Sequence, residues 1–273
     1  MRFVLNFNHA CTLKCPWCYV KFDGSIPNKQ IVKNIIDRCA ETGFNTLTLG
    51  GGDPYQYNWI GEILKLARTK KLFVHIDTNA IKMSETNKNI EILNNYVDLI
   101  GIPLDGSNKY IHDLSRKKEG NFDLINKKLN WLSFMKDRLK INTFAASHNI
   151  NDLINLSFYI KEINPKIWSI YQYWSINNNS RVTEKYFLND TVFGNITNVL
   201  KKDFTKSNII LDASDKDKRR KKYPIITHNG DVYIHHNKND LLLKIGSIFL
   251  DSTIDDIIYS CQKDNFDFEF RYS

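Results

Sequence analysis

Residues 8–22 read NHACTLKCPWCYVKF and place three cysteines within fifteen residues. Cys11, Cys15 and Cys18 follow the spacing C-x3-C-x2-C, and the 273-residue chain holds only two further cysteines, both far away in sequence. Disulfides are not expected in a chain with few cysteines and no recognisable export signal. Three thiols this close together therefore indicate a metal or iron–sulfur site.

The number of thiols, three, restricts the kind of metal site that they can form. A structural zinc ion takes four protein ligands, and His9 could in principle complete the set. A 4Fe-4S cluster also takes four ligands, normally four cysteines, so three thiolates leave one iron open to nitrogen and oxygen donors of a substrate or cofactor. The spacing by itself leaves two hypotheses open, a non-enzymatic zinc-binding module and a catalytic cluster.

The cysteines directly follow the first of six apolar, β-branched segments that alternate with helical patterns. The predicted strands cover 2–8, 45–51, 72–79, 97–104, 139–146 and 166–176. The predicted helices cover 28–43, 58–71, 87–95, 121–137 and 151–164. This alternation indicates a parallel sheet covered by helices, and six units are too few to close an eight-stranded barrel. We predict an α/β fold, a partial (β/α)6 TIM-like barrel, with its chemistry at the carboxyl ends of the strands.

The regular alternation loosens beyond residue 178. Residues 189–204 have a helical pattern, and 223–237 resemble a β-hairpin because Asn229-Gly230 separates two β-rich runs. We therefore expect a core over 1–178 and a C-terminal extension over 179–273 that packs on it.

Composition and charge bound the setting of the protein. No apolar run reaches the ~18 residues of a membrane helix, and the N-terminus lacks the apolar region of a signal peptide, so we expect a cytoplasmic protein. The net charge of +8 favours anionic partners. The most basic stretch, KDKRRKKY from Lys216 to Tyr223, is interpreted as a solvated loop, with a phosphate or polyanion contact as the alternative. It has no interleaved aromatic residues, so nucleic-acid binding is not expected.

The rest of the chain favours the cluster over the zinc-binding module. The motif C-x3-C-x-aromatic-C, completed by Trp17, resembles the cluster motif of the radical S-adenosylmethionine (radical SAM) superfamily. Further segments resemble that superfamily in the same order along the chain. They are GGGDP (50–54), DTN (77–79), LDG (104–106), HDLSR (112–116), NF (121–122) and KINTF (140–144). The later segments are similar to the branch that contains the molybdopterin cyclase and the SPASM-type peptide-modifying enzymes. The resemblance extends from residue 3 to about residue 176.

The resemblance implies a role for each matching residue. Cys11, Cys15 and Cys18 would hold one 4Fe-4S cluster, and its open iron would be chelated by the amino and carboxylate groups of SAM. The contacts to SAM would come from Trp17 beside the adenine, from Gly51, Gly52 and Asp53 at the ammonium, from Thr78, Asp105 and Arg116 at the ribose and carboxylate, and from Asn142 at the same mouth. A reductase, flavodoxin or ferredoxin would supply the electron. The expected product is a 5′-deoxyadenosyl radical that abstracts a hydrogen atom from the substrate.

Two departures from the family pattern limit this inference. Pro103 stands where the branch usually has a serine, which removes a hydroxyl expected near the ribose. Residues 228–249 resemble the end of SPASM-type enzymes, but VYIHH replaces the cysteine pattern that binds auxiliary clusters. With only Cys261 downstream of Cys39, we expect a single cluster per chain, and we interpret both as small buried hydrophobic residues. His235 and His236 are not expected to share a metal, because neighbours in a strand point to opposite faces.

The substrate is the least constrained prediction. Residues 163–176 resemble the sixth-strand region of viperin-like nucleoside triphosphate dehydratases, but the two basic residues of that strand are Ile167 and Ser169 here. Lys140 and Asn142 do match the preceding strand. Since only ten residues precede Cys11, no N-terminal peptide-recognition module is expected. We therefore favour a compact small-molecule or nucleotide-like substrate, with triphosphate dehydration or peptide modification as alternatives. The candidate substrate-binding residues are Lys140, Tyr171 and Tyr173.

Overall fold

The computed structural model of the protein describes residues 1–20, 22–176, 180–220, 223–235 and 240–263, without the side chains of 180, 181, 220 and 260–263. Within these residues, ten strands form one sheet in the order β10-β9-β8-β1-β2-β3-β4-β5-β6-β7. The strands are β1 (Arg2–Asn6), β2 (Thr46–Gly50), β3 (Phe73–Asp77), β4 (Leu99–Pro103), β5 (Leu139–Ala145), β6 (Ile167–Gln172), β7 (Ile210–Ser214), β8 (Ile225–Thr227), β9 (Asp231–His235) and β10 (Leu242–Ser247).

Helices connect the parallel strands. They are α1 (Lys29–Glu41), α2 (Ile60–Thr69), α3 (Asn87–Tyr96), α4 (Lys109–Arg116), α5 (Asn121–Trp131), α6 (Leu153–Ile163), α7 (Ser180–Tyr186), α8 (Asp190–Phe204), α9 (Lys216–Arg220) and α10 (Asp251–Lys263). None of these described helices combines the length and the apolar character needed to cross a membrane.

Local chemistry fixes the helix ends. The side chain of Asn28 caps α1 by accepting hydrogen bonds from the backbone N–H groups of Gln30 and Ile31. Asn108 caps α4 in the same way through the N–H of Ile111. Lys117, which ends α4, has a φ of 54°, so this helix closes on a left-handed residue.

The two faces of the barrel strands have different chemistry. On β3, Val74 and Ile76 belong to the main apolar core between sheet and helices, whereas His75 and Asp77 line a cavity on the concave side. On β5 the outward Ile141 alternates in the same way with the inward Lys140. Because side chains alternate along a strand, one sequence builds both an apolar outer layer and a polar lumen.

The predicted fold class is confirmed, since β1 to β6 pair in parallel as an incomplete barrel. The hairpin is confirmed as well: β8 and β9 are antiparallel, and Gly230 between them has a φ of 91°. Two strands of the sheet were not predicted. The seventh strand, β7, adds in parallel to β6, and β10 adds to β9.

Three segments differ from the sequence prediction. The helix predicted over 121–137 ends at Trp131 and continues as 3-10 turns over Leu132–Arg138. The family-like stretch HDLSR (112–116), for which no helix was predicted, lies in α4 (Lys109–Arg116). The basic stretch is not a loop at its start, because Lys216–Arg220 form α9; residues 221–222 lie outside the described part.

Candidate active site

A cavity of about 320 Å³ opens at the carboxyl ends of the barrel strands. This mouth cavity is lined by the three cysteines, by the Gly51-Gly52 pair and by residues at the ends of β3, β4, β5 and β6. The predicted site residues Trp17, Asp53, Thr78, Arg116, Asn142 and Tyr171 are among its lining. Residues separated by up to 160 positions in sequence are thus brought together at one end of the sheet.

Cys11, Cys15 and Cys18 lie on the loop between β1 and α1, and all three are free and partly buried. The Asn79 side-chain amide donates to Cys11 Sγ at 3.2 Å, and the Leu13 N–H approaches the same sulfur at 3.4 Å. Burial raises the pKa of each thiol, that of Cys18 to about 12, and the Arg116 guanidinium opposes the rise at Cys15. Buried thiolates therefore need a cationic partner, which bound iron would provide.

The arrangement of the thiols bears on which metal they fit. A structural zinc site takes four protein ligands, whereas a four-iron cluster binds each thiolate at a separate iron, so that three thiolates leave one iron open. His9, the candidate fourth zinc ligand, instead faces Asp23 at 3.0 Å and Ser25 at 3.2 Å. The donor set fits the cluster.

Gly51 and Gly52 pack directly against the loop that carries the cysteines. The N–H of Gly52 donates to Asn8 O at 2.8 Å, and the N–H of Asp53 donates to Ala10 O at 2.8 Å. Gly51 has a φ of 101°, and a β-carbon there would lie 2.8 Å from Asn8 O. A β-carbon on Gly52 would overlap Ala10 O. Only glycine permits this contact between the two loops.

Asp53 joins the ends of β2 and β3. Its buried carboxylate accepts hydrogen bonds from Thr78 Oγ1 at 2.9 Å, from the Asn79 N–H at 2.7 Å and from the Tyr55 N–H at 2.9 Å. Burial raises its pKa, and these three bonds work against that rise. Asp53 and Thr78, which the family resemblance places in contact with SAM, are therefore also hydrogen-bonded to each other.

Asp105 orients Arg116. Asp105 is fully buried and does not line the mouth cavity, and its Oδ2 lies 2.6 Å from Arg116 Nε. It also accepts hydrogen bonds from Ser115 Oγ at 2.8 Å and the Phe144 N–H at 2.9 Å. The guanidinium, in contrast, reaches the cavity wall. Arg116 is therefore a fixed cation beside the cysteine loop.

Trp17 is anchored beside Arg116. Its ring stacks on Phe144 with centroids 3.8 Å apart and an interplanar angle of 8°, and its Nε1–H donates to Ser115 O at 3.3 Å. The Arg116 guanidinium lies 4.9 Å from the Trp17 ring centroid. The stack attaches the cysteine loop to the end of β5.

The floor of the mouth cavity is polar. Asn142 Nδ2 donates to Asp77 Oδ1 at 2.6 Å, and His75 Nε2 lies 3.1 Å from the same oxygen. Burial opposes ionisation of Asp77, but His75 and Lys140 outweigh it and hold its pKa below the usual range. Asp77 is thus a carboxylate on the floor between the cysteines and the lumen.

The candidate substrate residues fall into two groups. Lys140 is only 2% exposed, lies 5.5 Å from the Tyr171 ring centroid, and with Tyr171 lines a second cavity deeper in the lumen. Tyr173 lines neither cavity and packs on Phe144 and Tyr186, with centroids at 5.8 and 6.1 Å. Tyr173 is therefore a packing residue in this arrangement.

Other predicted features lie away from the cavities. Cys39 is fully buried in the apolar core, as predicted. His235 is buried against the Trp174 ring at 4.5 Å, while His236 and the side chain of Cys261 lie outside the described part of the chain.

Several lining residues were missed from the sequence. Asp77 and Asn79 flank Thr78 in the DTN segment, and Phe144 ends KINTF, so those motifs contained the signal. Trp174 lies within the quoted segment 163–176 and was placed at the barrel mouth with Tyr171 and Tyr173. Arg219 belongs to no quoted motif of the barrel, and only the three-dimensional arrangement brings it to the cavity.

Comparison with known proteins identifies the family to which the chain belongs. A family model described as "Radical SAM superfamily" matches residues 5–164. The chain is 27% identical over 184 residues to an S-adenosylmethionine-dependent nucleotide dehydratase of Flammeovirga pacifica, covering 62% of this chain and 61% of the relative. It is 25% identical over 170 residues to the antilisterial bacteriocin subtilosin biosynthesis protein AlbA of Bacillus subtilis, covering 60% of this chain and 37% of AlbA.

Among solved structures, the chain is similar in fold to anSMEcpe with bound AdoMet. The TM-score is 0.75 at 17% identity, and the match covers 98% of this chain and 81% of the other. The chain spans 61% and 37% of the lengths of the two relatives named above.

Proposed function

Because the chain belongs to the radical SAM superfamily, whose members bind a 4Fe-4S cluster and S-adenosylmethionine, we propose that it is a radical SAM enzyme. Its substrate is a compact molecule that enters the polar lumen of the barrel. The observation that carries this proposal is that the three cysteines of the C-x3-C-x2-C loop line the same cavity as the Gly51-Gly52 pair.

Each part of this cavity has a proposed task. Cys11, Cys15 and Cys18 hold the cluster, and Gly51 and Gly52 leave space beside it for SAM. When bound, the reduced cluster and SAM supply a 5′-deoxyadenosyl radical. The chain's own residues bind and orient SAM and the substrate, and they exclude water from the cavity.

The remaining SAM contacts come from the cavity wall. Arg116 offers a guanidinium held by Asp105, and this geometry suits a carboxylate. Trp17 and Asn142 place an indole ring and an amide in the lining of the same cavity. Asp53 and Thr78 are hydrogen-bonded to each other, and they contribute by stabilising the turn that borders the cavity.

We also propose the wider setting of the enzyme. A separate reductase, flavodoxin or ferredoxin supplies the electron, and the protein works in a reducing cytoplasm with one cluster per chain. Residues 1–178 form the catalytic core, and 179–273 form an extension that packs on it.

A nucleotide substrate is the favoured candidate within the compact class. Lys140 and Asn142 both project into the lumen from β5, where they offer a cation and an amide to a polar ligand. The similarity to a nucleotide dehydratase points in the same direction. The similarity to AlbA keeps peptide modification as a second candidate.

The test is anaerobic reconstitution followed by incubation with dithionite and SAM. Wild-type protein should carry about four irons per chain and form 5′-deoxyadenosine. Cys15→Ala should lose both the iron and the product. Cys39→Ala is the matched control, because Cys39 lies in the apolar core and should retain both. Wild-type protein that binds no iron and forms no 5′-deoxyadenosine would overturn the proposal.

A further inference from the structure

The side-chain amide of Asn79 contacts one of the three cysteines. Asn79 is the second residue after β3 and lines the mouth cavity, and its Nδ2 donates a hydrogen bond to Cys11 Sγ at 3.2 Å. The same amide lies 3.3 Å from the hydroxyl oxygen of Thr12, the residue that follows Cys11. A residue 68 positions away in sequence therefore donates directly to the loop that carries the cysteines.

The turn after β3 fixes the position of this amide. The Asn79 N–H donates to the buried carboxylate of Asp53 at 2.7 Å, and Asn79 Oδ1 accepts the N–H of Ile81 at 3.0 Å. Ala80 is fully buried and has a φ of 59°, a left-handed conformation that is unfavourable for a residue with a β-carbon. Because its backbone and its Oδ1 are engaged in this turn, the side chain presents Nδ2 to the cysteine loop.

The contacts at Cys11 and Cys15 differ in kind. Cys11 receives two neutral donors, Asn79 Nδ2 and the Leu13 N–H at 3.4 Å. Cys15 interacts instead with the charged guanidinium of Arg116. The Leu13 donor belongs to the backbone, whereas the Asn79 donor depends on which side chain stands at that position. A substitution at Asn79 therefore changes the environment of one sulfur and leaves the charge beside Cys15 in place.

An N–H donor at a cysteine sulfur favours one oxidation state of an iron–sulfur cluster over the other. On reduction the cluster gains one electron, the external donor proposed above loses that electron, and no proton moves. The added negative charge makes the sulfurs better hydrogen-bond acceptors, so the bond is stronger in the reduced state. Hydrogen bonds to sulfur are among the factors that set the reduction potential of these clusters. The donor stabilises the reduced form and makes the potential less negative.

We propose that Asn79 is a positioning residue that raises the reduction potential of the cluster through its hydrogen bond to Cys11. The proposal rests on the enzymatic function proposed above, because it requires Cys11 to hold iron. It names the residue that eases transfer of the electron from the external donor to the cluster. A purely structural role in the turn after β3 predicts instead that the potential stays constant wherever the turn is kept.

The test is an anaerobic redox titration of reconstituted, SAM-free protein, in which electron paramagnetic resonance (EPR) quantifies the reduced cluster. Asn79→Leu removes the donor. Asn79→Asp keeps an oxygen that can accept the Ile81 N–H, and thus the turn, but places a second oxygen where the donor was. Both variants should have a more negative midpoint potential than wild type. For Asn79→Leu we expect the one-electron reduction equilibrium to fall about threefold to tenfold, which is about 30–60 mV.

Asn34→Leu is the matched control, because it makes the same substitution away from the site. Asn34 is exposed on α1, and its Oδ1 accepts a hydrogen bond from Gln30 of the same helix. This variant should titrate as wild type does. Midpoint potentials equal to that of wild type in both Asn79→Leu and Asn79→Asp would overturn the role of Asn79.

The outcomes separate the two proposals. Equal potentials in protein that binds iron and forms 5′-deoxyadenosine would overturn the role of Asn79 and leave the enzymatic function intact, whereas wild-type protein without a cluster would overturn both. If neither Asn79 variant retains a cluster, the wild-type protein decides. Among the described residues Asn79 is the asparagine whose amide donates to a cysteine sulfur. With nitrogen-15 in the asparagine side-chain amides, pulsed EPR of the reduced cluster should therefore show a nitrogen-15 coupling, and its absence would overturn the proposal.

Discussion

The absence of a side chain at Gly101 leaves room for two polar side chains in the lumen. Gly101 lies on β4 and faces the floor of the mouth cavity. A β-carbon there would overlap Asp77 Oδ1 and lie 2.5 Å from Asn142 Nδ2. The Asp77–Asn142 hydrogen bond at 2.6 Å therefore occupies the volume that any other residue would fill.

We predict that Gly101→Ala lowers the free energy of unfolding by about 1–3 kcal/mol, the usual cost of overpacking. The measurement is anaerobic urea unfolding of the reconstituted protein. Gly194→Ala is the matched control, because Gly194 lies within α8 and has no atom within 4 Å of an added β-carbon. This control should gain about 0.5–1 kcal/mol, since glycine weakens a helix. A Gly101→Ala protein as stable as the wild type would contradict the tight packing.

At the scale of elements, His112 joins the end of β4 to α4 and α5. Its Nδ1 accepts the N–H of Asp105 at 3.0 Å, and its Nε2 lies 3.3 Å from Asn121 Oδ1. The ring is fully buried, and this burial lowers the pKa of His112. The neutral ring, with Nδ1 unprotonated, is the form that these bonds require.

The pKa of His112 is lower in the folded than in the unfolded chain, where it is about 6.5. The unfolded chain therefore binds more protons below that pH, and stability falls as the pH falls. Between pH 7 and 5.5, wild-type protein should lose about 1 kcal/mol more stability than His112→Asn, which keeps an acceptor but cannot be protonated. Anaerobic urea unfolding at both pH values measures this difference. Equal pH slopes would contradict the role of His112.

The elements that could be predicted are those with a strong local signal. The helical spacing of apolar residues within 28–43 predicted α1, and the apolar, β-branched run at 72–79 predicted β3. The strand β7 was missed because it is only five residues long, ILDAS, and its pairing with β6 is a tertiary property.

The same limit applies to the site. The cysteines were identifiable from their spacing, and Gly51-Gly52 from the resemblance of GGGDP to a family motif. The sixth strand carries no basic residues at the two positions considered, whereas Arg2 and Arg219 reach the lumen from β1 and from α9. A count along one strand cannot include them. The bonds of Asp53 and Asp105 to protein donors are likewise invisible in the sequence.

At the scale of the whole molecule, the sheet leaves one open side. In the described chain β7 and β10 are its two edge strands, so the barrel is not closed by hydrogen bonds between strands. Side chains span this gap instead. Trp174, just after β6, donates from Nε1 to Asp240 Oδ1 at 2.7 Å, and its ring packs at a tilt against His235 of β9, with centroids 4.5 Å apart. Trp174 thereby connects the two sides of the lumen.

We predict that Trp174→Ala destabilises the protein by about 3–5 kcal/mol, the usual cost of removing a buried tryptophan. Because the lost contacts lie at the gap, amide hydrogen exchange should accelerate in β9 and β10 and stay unchanged in β3 and β4. Trp131→Ala is the matched control, since Trp131 ends α5 and contacts Phe134. Its effect should be confined to α5 and the turns that follow. Uniform acceleration throughout the sheet in Trp174→Ala would show that Trp174 supports the general core and not the junction between the two sides.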